Sequence, residues 1–266
     1  MLARAETHER LSRSVFSRIV VGVDGTEAGY EAARQARRLA EPHAEIDVVA
    51  AKYLAGATLA GWSATRLDEE IARETAASLQ EALRIVGPAA VPLSVNGAPS
   101  EALLEQIREL KTSVVAVGTH GHSRASEILI GGTTGTLLHA APCSVLVARP
   151  PGVQAPFPNA IVVGSDGSDD AALALAVARR LSDRLDAPLR VVTALHYNPY
   201  LARVPHEAEL VEATAVDALT SVSEAVDLVV VGSRGLLGMH ALGSVSERVA
   251  HTAASSVLVV RERKGG

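Results

Sequence analysis

The stretch Gly118–Gly135 reads GTHGHSRASEILIGGTTG and joins an apolar run at Val114–Val117 to a helical pattern at Leu137–Ala141. Gly118 and Gly121 permit close backbone approach, and Gly131 and Gly132 stand directly before a helix start at Thr133. Free amides at such a start, with the positive end of the helix dipole, suit an anion such as phosphate. A surface connection whose glycines merely serve turns explains the same residues, and the stretch alone leaves both readings open. A Walker-type loop is excluded: the chain has three lysines, at 52, 111 and 264, and none follows a G-x-x-x-x-G. Any phosphate would be held by backbone amides, hydroxyls, Arg124 or a bound Mg²⁺.

A second turn, Gly22-Val-Asp24-Gly-Thr26, lacks the G-x-G-x-x-G of dinucleotide sites. The Asp24 carboxylate would repel phosphate but can accept hydrogen bonds from an adenine amine or a ribose hydroxyl. Taken alone, the turn favours Asp24 as the cap of the following helix. The pair His120 and His122 has no carboxylate or thiol partner at metal-ligand spacing, so no metal site is expected. Cys143 opens a strand without a catalytic signature, and Gly164-Ser-Asp-Gly167 has the wrong spacing for a nucleophile elbow. No residue set resembles a catalytic triad, so no catalytic residue is assigned.

These turns sit inside an internal repeat. Arg18-Ile-Val-Val-Gly-Val-Asp24-Gly-Thr26 returns as Ala160-Ile-Val-Val-Gly-Ser-Asp166-Gly-Ser168, and Val114–Gly121 returns as Leu228–Gly235. Cys143–Val147 returns as Ser255–Val259. In the first copy, strands are expected near 18–23, 45–51, 91–96, 113–117 and 144–148, with helices near 27–41, 64–86, 99–110 and 133–140. Such alternation predicts an α/β fold of two tandem doubly wound domains, each with a parallel sheet and flanking helices. The second copy is shorter between its second and third strands, where His196–His206 carries two prolines. That stretch predicts loss of the crossover helix, or survival of one turn, with a strand near 208–213 and a helix near 216–224. The expected division is an extension at 1–16, a first domain at 17–149, a Pro-rich linker at 150–158 and a shortened second domain at 159–263.

Composition narrows the class. Hydrophobic residues make up 48% but aromatics only 3%, which calls for a Val, Leu, Ile and Ala core covered on both faces. A net charge of −5 gives no field for nucleic acid, and no nucleic-acid partner is expected. No run approaches the 18 or so apolar residues of a membrane span. The single cysteine and the charged N-terminus, without a signal-like apolar region, predict a cytoplasmic protein.

The tandem pattern, the Asp-Gly-Thr/Ser turn and G-x-x-G-(nine residues)-G before the last helix resemble the universal stress protein family. The resemblance spans nearly the whole chain. It implies a five-stranded parallel sheet in each repeat and, since many members bind ATP, an adenine nucleotide partner with ATP, alone or with Mg²⁺, as cofactor. It places Asp24 and Ala51 by adenine, Gly118 by ribose, and Gly121, Gly131, Gly132 and Thr133 by the phosphates. In the second copy the matching positions are Asp166, Gly232, Gly235, Gly243 and Ser244. The first copy keeps the nine-residue spacing but has Gly132 where ATP-binding members carry Ser or Thr; Thr133 or Thr134 can replace that hydroxyl. The second keeps Ser244 but has seven residues, Leu236–Leu242, after Gly235. Ser244-Val-Ser-Glu247 also reads as a capping box. The family further implies pairing of the two last strands, as an intramolecular pseudo-dimer, and the surface bared by the missing helix favours homodimerisation beyond it. The expected function is a regulatory, ATP-binding stress protein with at most slow hydrolysis. The rival readings are an interaction scaffold whose sites have decayed, and a weak nucleotide hydrolase.

Overall fold

The computed structural model describes residues 16–53, 64–119, 130–151, 156–196, 198, 200–233 and 243–262. The first repeat runs β1 (Arg18–Gly22), α1 (Glu27–Leu39), β2 (Glu45–Lys52), α2 (Ala64–Val86), β3 (Val91–Asn96), α3 (Pro99–Glu109), β4 (Val114–Gly118), α4 (Gly132–Ala140) and β5 (Ser144–Ala148). The second runs β6 (Ile161–Gly164), α5 (Asp169–Leu185), β7 (Leu189–Ala194), β8 (Glu209–Val211), α6 (Ala215–Val222), β9 (Leu228–Gly232), α7 (Ser244–Thr252) and β10 (Ser256–Val260).

All ten strands form one sheet in the order β3-β2-β1-β4-β5-β10-β9-β6-β7-β8. Within each repeat every pairing is parallel, and the repeats meet where β5 and β10 run antiparallel, Val147 opposite Val257 and Val145 opposite Val259. The central strands read as continuous valine-rich runs because both faces are covered. Val114, Ala116, Leu146, Leu228 and Leu258 point into one core beneath α1, α2 and α5. Their alternates Val115, Val145, Val229 and Val257 point into the other, beneath α3, α4, α6 and α7. Each core contains residues of both repeats.

The expected loss of the crossover helix is observed. Between β7 and β8 the described residues hold a single 3-10 turn, Leu201–Arg203, where the first repeat has the 23-residue α2. That turn lies over the strand-one turn of its own repeat: a Cβ on Gly167 would stand 2.7 Å from the Tyr200 carbonyl, and one on Gly25 would stand 2.7 Å from Ser78 Oγ of α2. On the thinner side Leu210 is 57% exposed.

Arginines bracket the seam. Arg149 follows β5 and donates from Nη2 to the Ala250 carbonyl (2.6 Å) and from Nη1 to that of Ser255 (3.2 Å), at the end of α7. Arg261 follows β10 and donates to the Leu138 and Ala141 carbonyls at the end of α4. Their own amides donate to Ser256 Oγ (3.0 Å) and Ser144 Oγ (3.1 Å) respectively. Arg149 is 5% exposed, and burial lowers its pKa to about 10, so it stays charged at neutral pH. A third arginine, Arg184 of α5, donates to the Leu39 and Ala40 carbonyls at the end of α1.

Near the amino-terminal end of β2 Asp47 is buried, with Oδ2 lacking a hydrogen bond and Arg18 Nη2 at 3.7 Å. Burial raises its carboxyl pKa, and Arg18 opposes this only in part. A native carboxyl with a raised pKa favours the folded chain at low pH, and that contribution is lost as pH rises through its folded value. Asp47→Asn is therefore expected to raise the melting temperature by about 2–4 °C at neutral pH, with the gap closing below the carboxylate range. Thermal unfolding of the two proteins across pH, with Arg18 still paired to Glu45, checks the sign.

Candidate functional site

In each repeat the first and fourth strands are neighbours, β1 with β4 and β6 with β9. The helices that follow them leave on opposite faces, α1 on one and α4 on the other. The chain therefore opens a crevice at the carboxyl ends of β1 and β4, the place where open parallel sheets hold ligands.

Asp24 lies at this rim. Gly25 takes a left-handed φ of +82°, which suits glycine, and the turn brings Thr26 back onto the carboxylate. Asp24 Oδ1 accepts from the Thr26 amide (3.1 Å) and hydroxyl (2.6 Å), while Thr26 Oγ1 accepts from the Gly29 amide (3.3 Å). The reading of Asp24 as the helix cap is thus corrected: Thr26 caps α1, and Asp24 orients the capping hydroxyl. The chain needs two further residues after Asp24 before helical geometry begins, so the hydroxyl, not the carboxylate, reaches the orphan amide. Asp24 itself is exposed at the rim. Asp166 and Ser168 repeat the arrangement before α5, at 2.9 and 3.2 Å.

Gly118 ends β4 against the first turn of α1. A Cβ there would stand 2.6 Å from the carbonyl carbon and oxygen of Ala28, and a Cβ on Gly232 would meet Asp170 at 2.8 Å. Both glycines have a packing reason apart from any ligand. Thr134 Oγ1 donates to the Gly118 carbonyl (2.7 Å), and the Gly131 amide donates to that of Thr119 (2.7 Å), so the start of α4 is pinned to the end of β4. Of the two substitutes, Thr134 thus spends its hydroxyl proton within the fold, while Thr133 is half-buried on the first turn. Ser246 Oγ makes the matching bond to Gly232 (2.6 Å). The signal for this pin was a hydroxyl kept at the third helical position in both copies.

The start of α4 differs from that of α1. Thr26, Ser168 and Thr214 cap α1, α5 and α6 with side-chain oxygens, whereas the cap of α4 is Gly131, which supplies none. Helix α3 also lacks one, but Pro99 removes an amide there. α7 likewise begins after Gly243, with Ser244 already its first helical residue. The capping-box reading of Ser244 is corrected accordingly, since a box needs the hydroxyl one position earlier. Glu247 instead meets His139 of α4 across the seam, at 3.1 Å.

Asp24, Gly118, Gly131, Gly132 and Thr133 thus share one rim, linked by contacts through Gly29, Ala28 and Thr134. Ala51 lies on β2, one strand further out, opposite Val95. Asp166, Gly232, Gly243 and Ser244 occupy the matching rim of the second repeat. Gly121 and Gly235, with His120, His122 and Arg124, lie outside the described residues. Among the described residues no group of three His, Cys, Asp or Glu could hold a metal ion.

A model of the universal stress protein family matches residues 16–149 and 200–261. The chain belongs to that family. A universal stress protein of Methanocaldococcus jannaschii is 26% identical over 149 residues, covering 53% of this chain and 87% of that one. Among solved structures, a universal stress protein from Archaeoglobus fulgidus superposes with a TM-score of 0.72 at 18% identity, covering 92% of this chain and 96% of that chain. A putative universal stress protein from Pseudomonas aeruginosa reaches 0.66 at 13% identity, covering 96% and 95%. At these identities the likeness is one of fold. The unmatched stretch of this universal stress protein, 150–199, holds β6, α5 and β7, which repeat the geometry of β1, α1 and β2.

Gly118 and Gly132 separate packing from openness at this rim, because a Cβ on Gly132 would meet nothing within 4 Å. Gly118→Ala is expected to cost about 1–3 kcal/mol in urea unfolding, as an overpacked site does. Gly132→Ala should cost nothing and, on a helical residue, gain up to about 1 kcal/mol.

Proposed function

We propose that this universal stress protein is a regulatory, cytoplasmic stress-response protein that binds an adenine nucleotide of the ATP type at the rim of its first repeat. The observation that supports this reading is the glycine-capped start of α4. There the cap residue, Gly131, supplies no side-chain acceptor to the first-turn amides, and the exposed Asp24 carboxylate stands on the same rim. The amides and dipole suit the phosphates, and Asp24 suits hydroxyl or amine donors of the nucleoside. Mg²⁺ would arrive bound to the phosphates, with the Thr133 hydroxyl at the same turn. The start of α7 has a similar form, but Glu247 in its first turn puts a carboxylate where α4 has Gly135, and its loop is two residues shorter. Both differences favour the first repeat. Binding rather than turnover is the proposed role.

Calorimetric titration with ATP and Mg²⁺ tests the reading. One equivalent is expected to bind, and Gly132→Ser should tighten it about ten-fold by restoring a hydroxyl bond to a charged oxygen. The open space around Gly132 admits the serine without strain. Absence of heat at millimolar nucleotide, with the protein folded, overturns the proposal in favour of an interaction scaffold.

A further inference from the structure

The nine residues of α4 are too few for a helix to persist on its own, so its order depends on what holds its two ends. Leu137 and Leu138 are fully buried and anchor the middle. The first turn is pinned within the repeat, by Thr134 to Gly118 and by Gly131 to Thr119. The last turn is held from outside it: the guanidinium of Arg261 donates to the carbonyls of Leu138 and Ala141, and its amide donates to Ser144 Oγ at the start of β5. A cation on orphan carbonyls at a helix C-terminus satisfies them and lies with the helix dipole. The arrangement is reciprocal, because Arg149 of the first repeat donates to the carbonyls of Ala250, His251 and Ser255 around the end of α7.

We propose that Arg261 is a positioning residue for the first repeat's nucleotide site, through which the second repeat holds the α4 amides in binding geometry. This rests on the nucleotide reading above. The effect is specific to one helix, because the seam as a whole is carried by the β5–β10 ladder and by two cores that both repeats share. The second repeat then has a task that needs no ligand of its own: it completes the frame of the first repeat's site.

The pseudo-equivalent arginines supply the test in the full-length chain. Arg261→Met and Arg149→Met each remove one guanidinium from the seam, and both are followed by ATP-Mg²⁺ titration and by amide hydrogen exchange. Arg261→Met is expected to speed exchange in Gly132–Ala140 and to weaken ATP about three- to ten-fold, with Arg261→Lys recovering part of the loss. Arg149→Met should speed exchange in Ser244–Thr252 and leave ATP affinity within about two-fold. Arg149→Lys replaces it as the control if the buried methionine variant does not fold. Equal weakening by the two changes, or an unaltered ATP affinity in Arg261→Met, overturns the proposal while leaving the nucleotide reading intact. Absence of wild-type binding overturns both.

Discussion

The antiparallel pairing of β5 with β10 is the constraint on which the rest of the molecule depends. Every residue of both strands is buried, so neither could form the open edge of a separate five-stranded sheet without exposing unpaired amides and a flat apolar ribbon. Pairing the two edges removes both at once and merges the cores. It also sets the orientation of everything else. Strands run parallel within a repeat and reverse at the seam, so the two rims face opposite ends of the sheet. The C-terminus of α4 is thereby brought to the rim of the other repeat, which is why His139 reaches Glu247 in the first turn of α7. The same reversal lets one arginine after each last strand reach the partner helix.

Against that two-fold frame the repeats have diverged in one layer. The first repeat covers its outer strands with α2, and the second has a single 3-10 turn in that place. The sheet accommodates the loss because β8 is only three residues long and lies at the edge, where less apolar surface has to be covered. The turn still performs one task of the missing helix, since Tyr200 packs over left-handed Gly167 as Ser78 packs over Gly25. The opposite edge strand, β3, carries Pro92, which withholds an amide from further pairing.

Much of this was legible in the residues. Alternating valine-rich runs and helical patterns located the elements to within a residue or two, the repeat gave the tandem plan, and two prolines marked the missing helix. What the sequence obscured were local choices between similar polar groups. Asp24 and Thr26 are both fit to cap α1, and only the left-handed turn at Gly25 decides that Thr26 reaches the amide. Ser244 and Glu247 have capping-box spacing, but the chain enters the helix one residue earlier, at Gly243. Arg149 and Arg261 fall at matched positions of the repeat, yet their partners are backbone carbonyls more than 100 residues away, and carbonyls carry no sequence signal.

The glycines of the two rims sort by the same logic. Gly25 and Gly167 are required by a left-handed turn, and Gly118 and Gly232 by close contact with a helix. Their presence in both repeats follows from the fold alone and carries no information about a ligand. Gly132 is different, because its φ is ordinary for a helix and open space surrounds it. The matching residue is Ser244, so the repeats differ at a position the fold leaves free. A glycine-rich motif in this fold is therefore a mixture, and only the members that packing does not already require bear on nucleotide binding. The first turn of α4, where Gly132 stands in open space, therefore bears on a ligand more directly than Gly118, which packing against Ala28 requires.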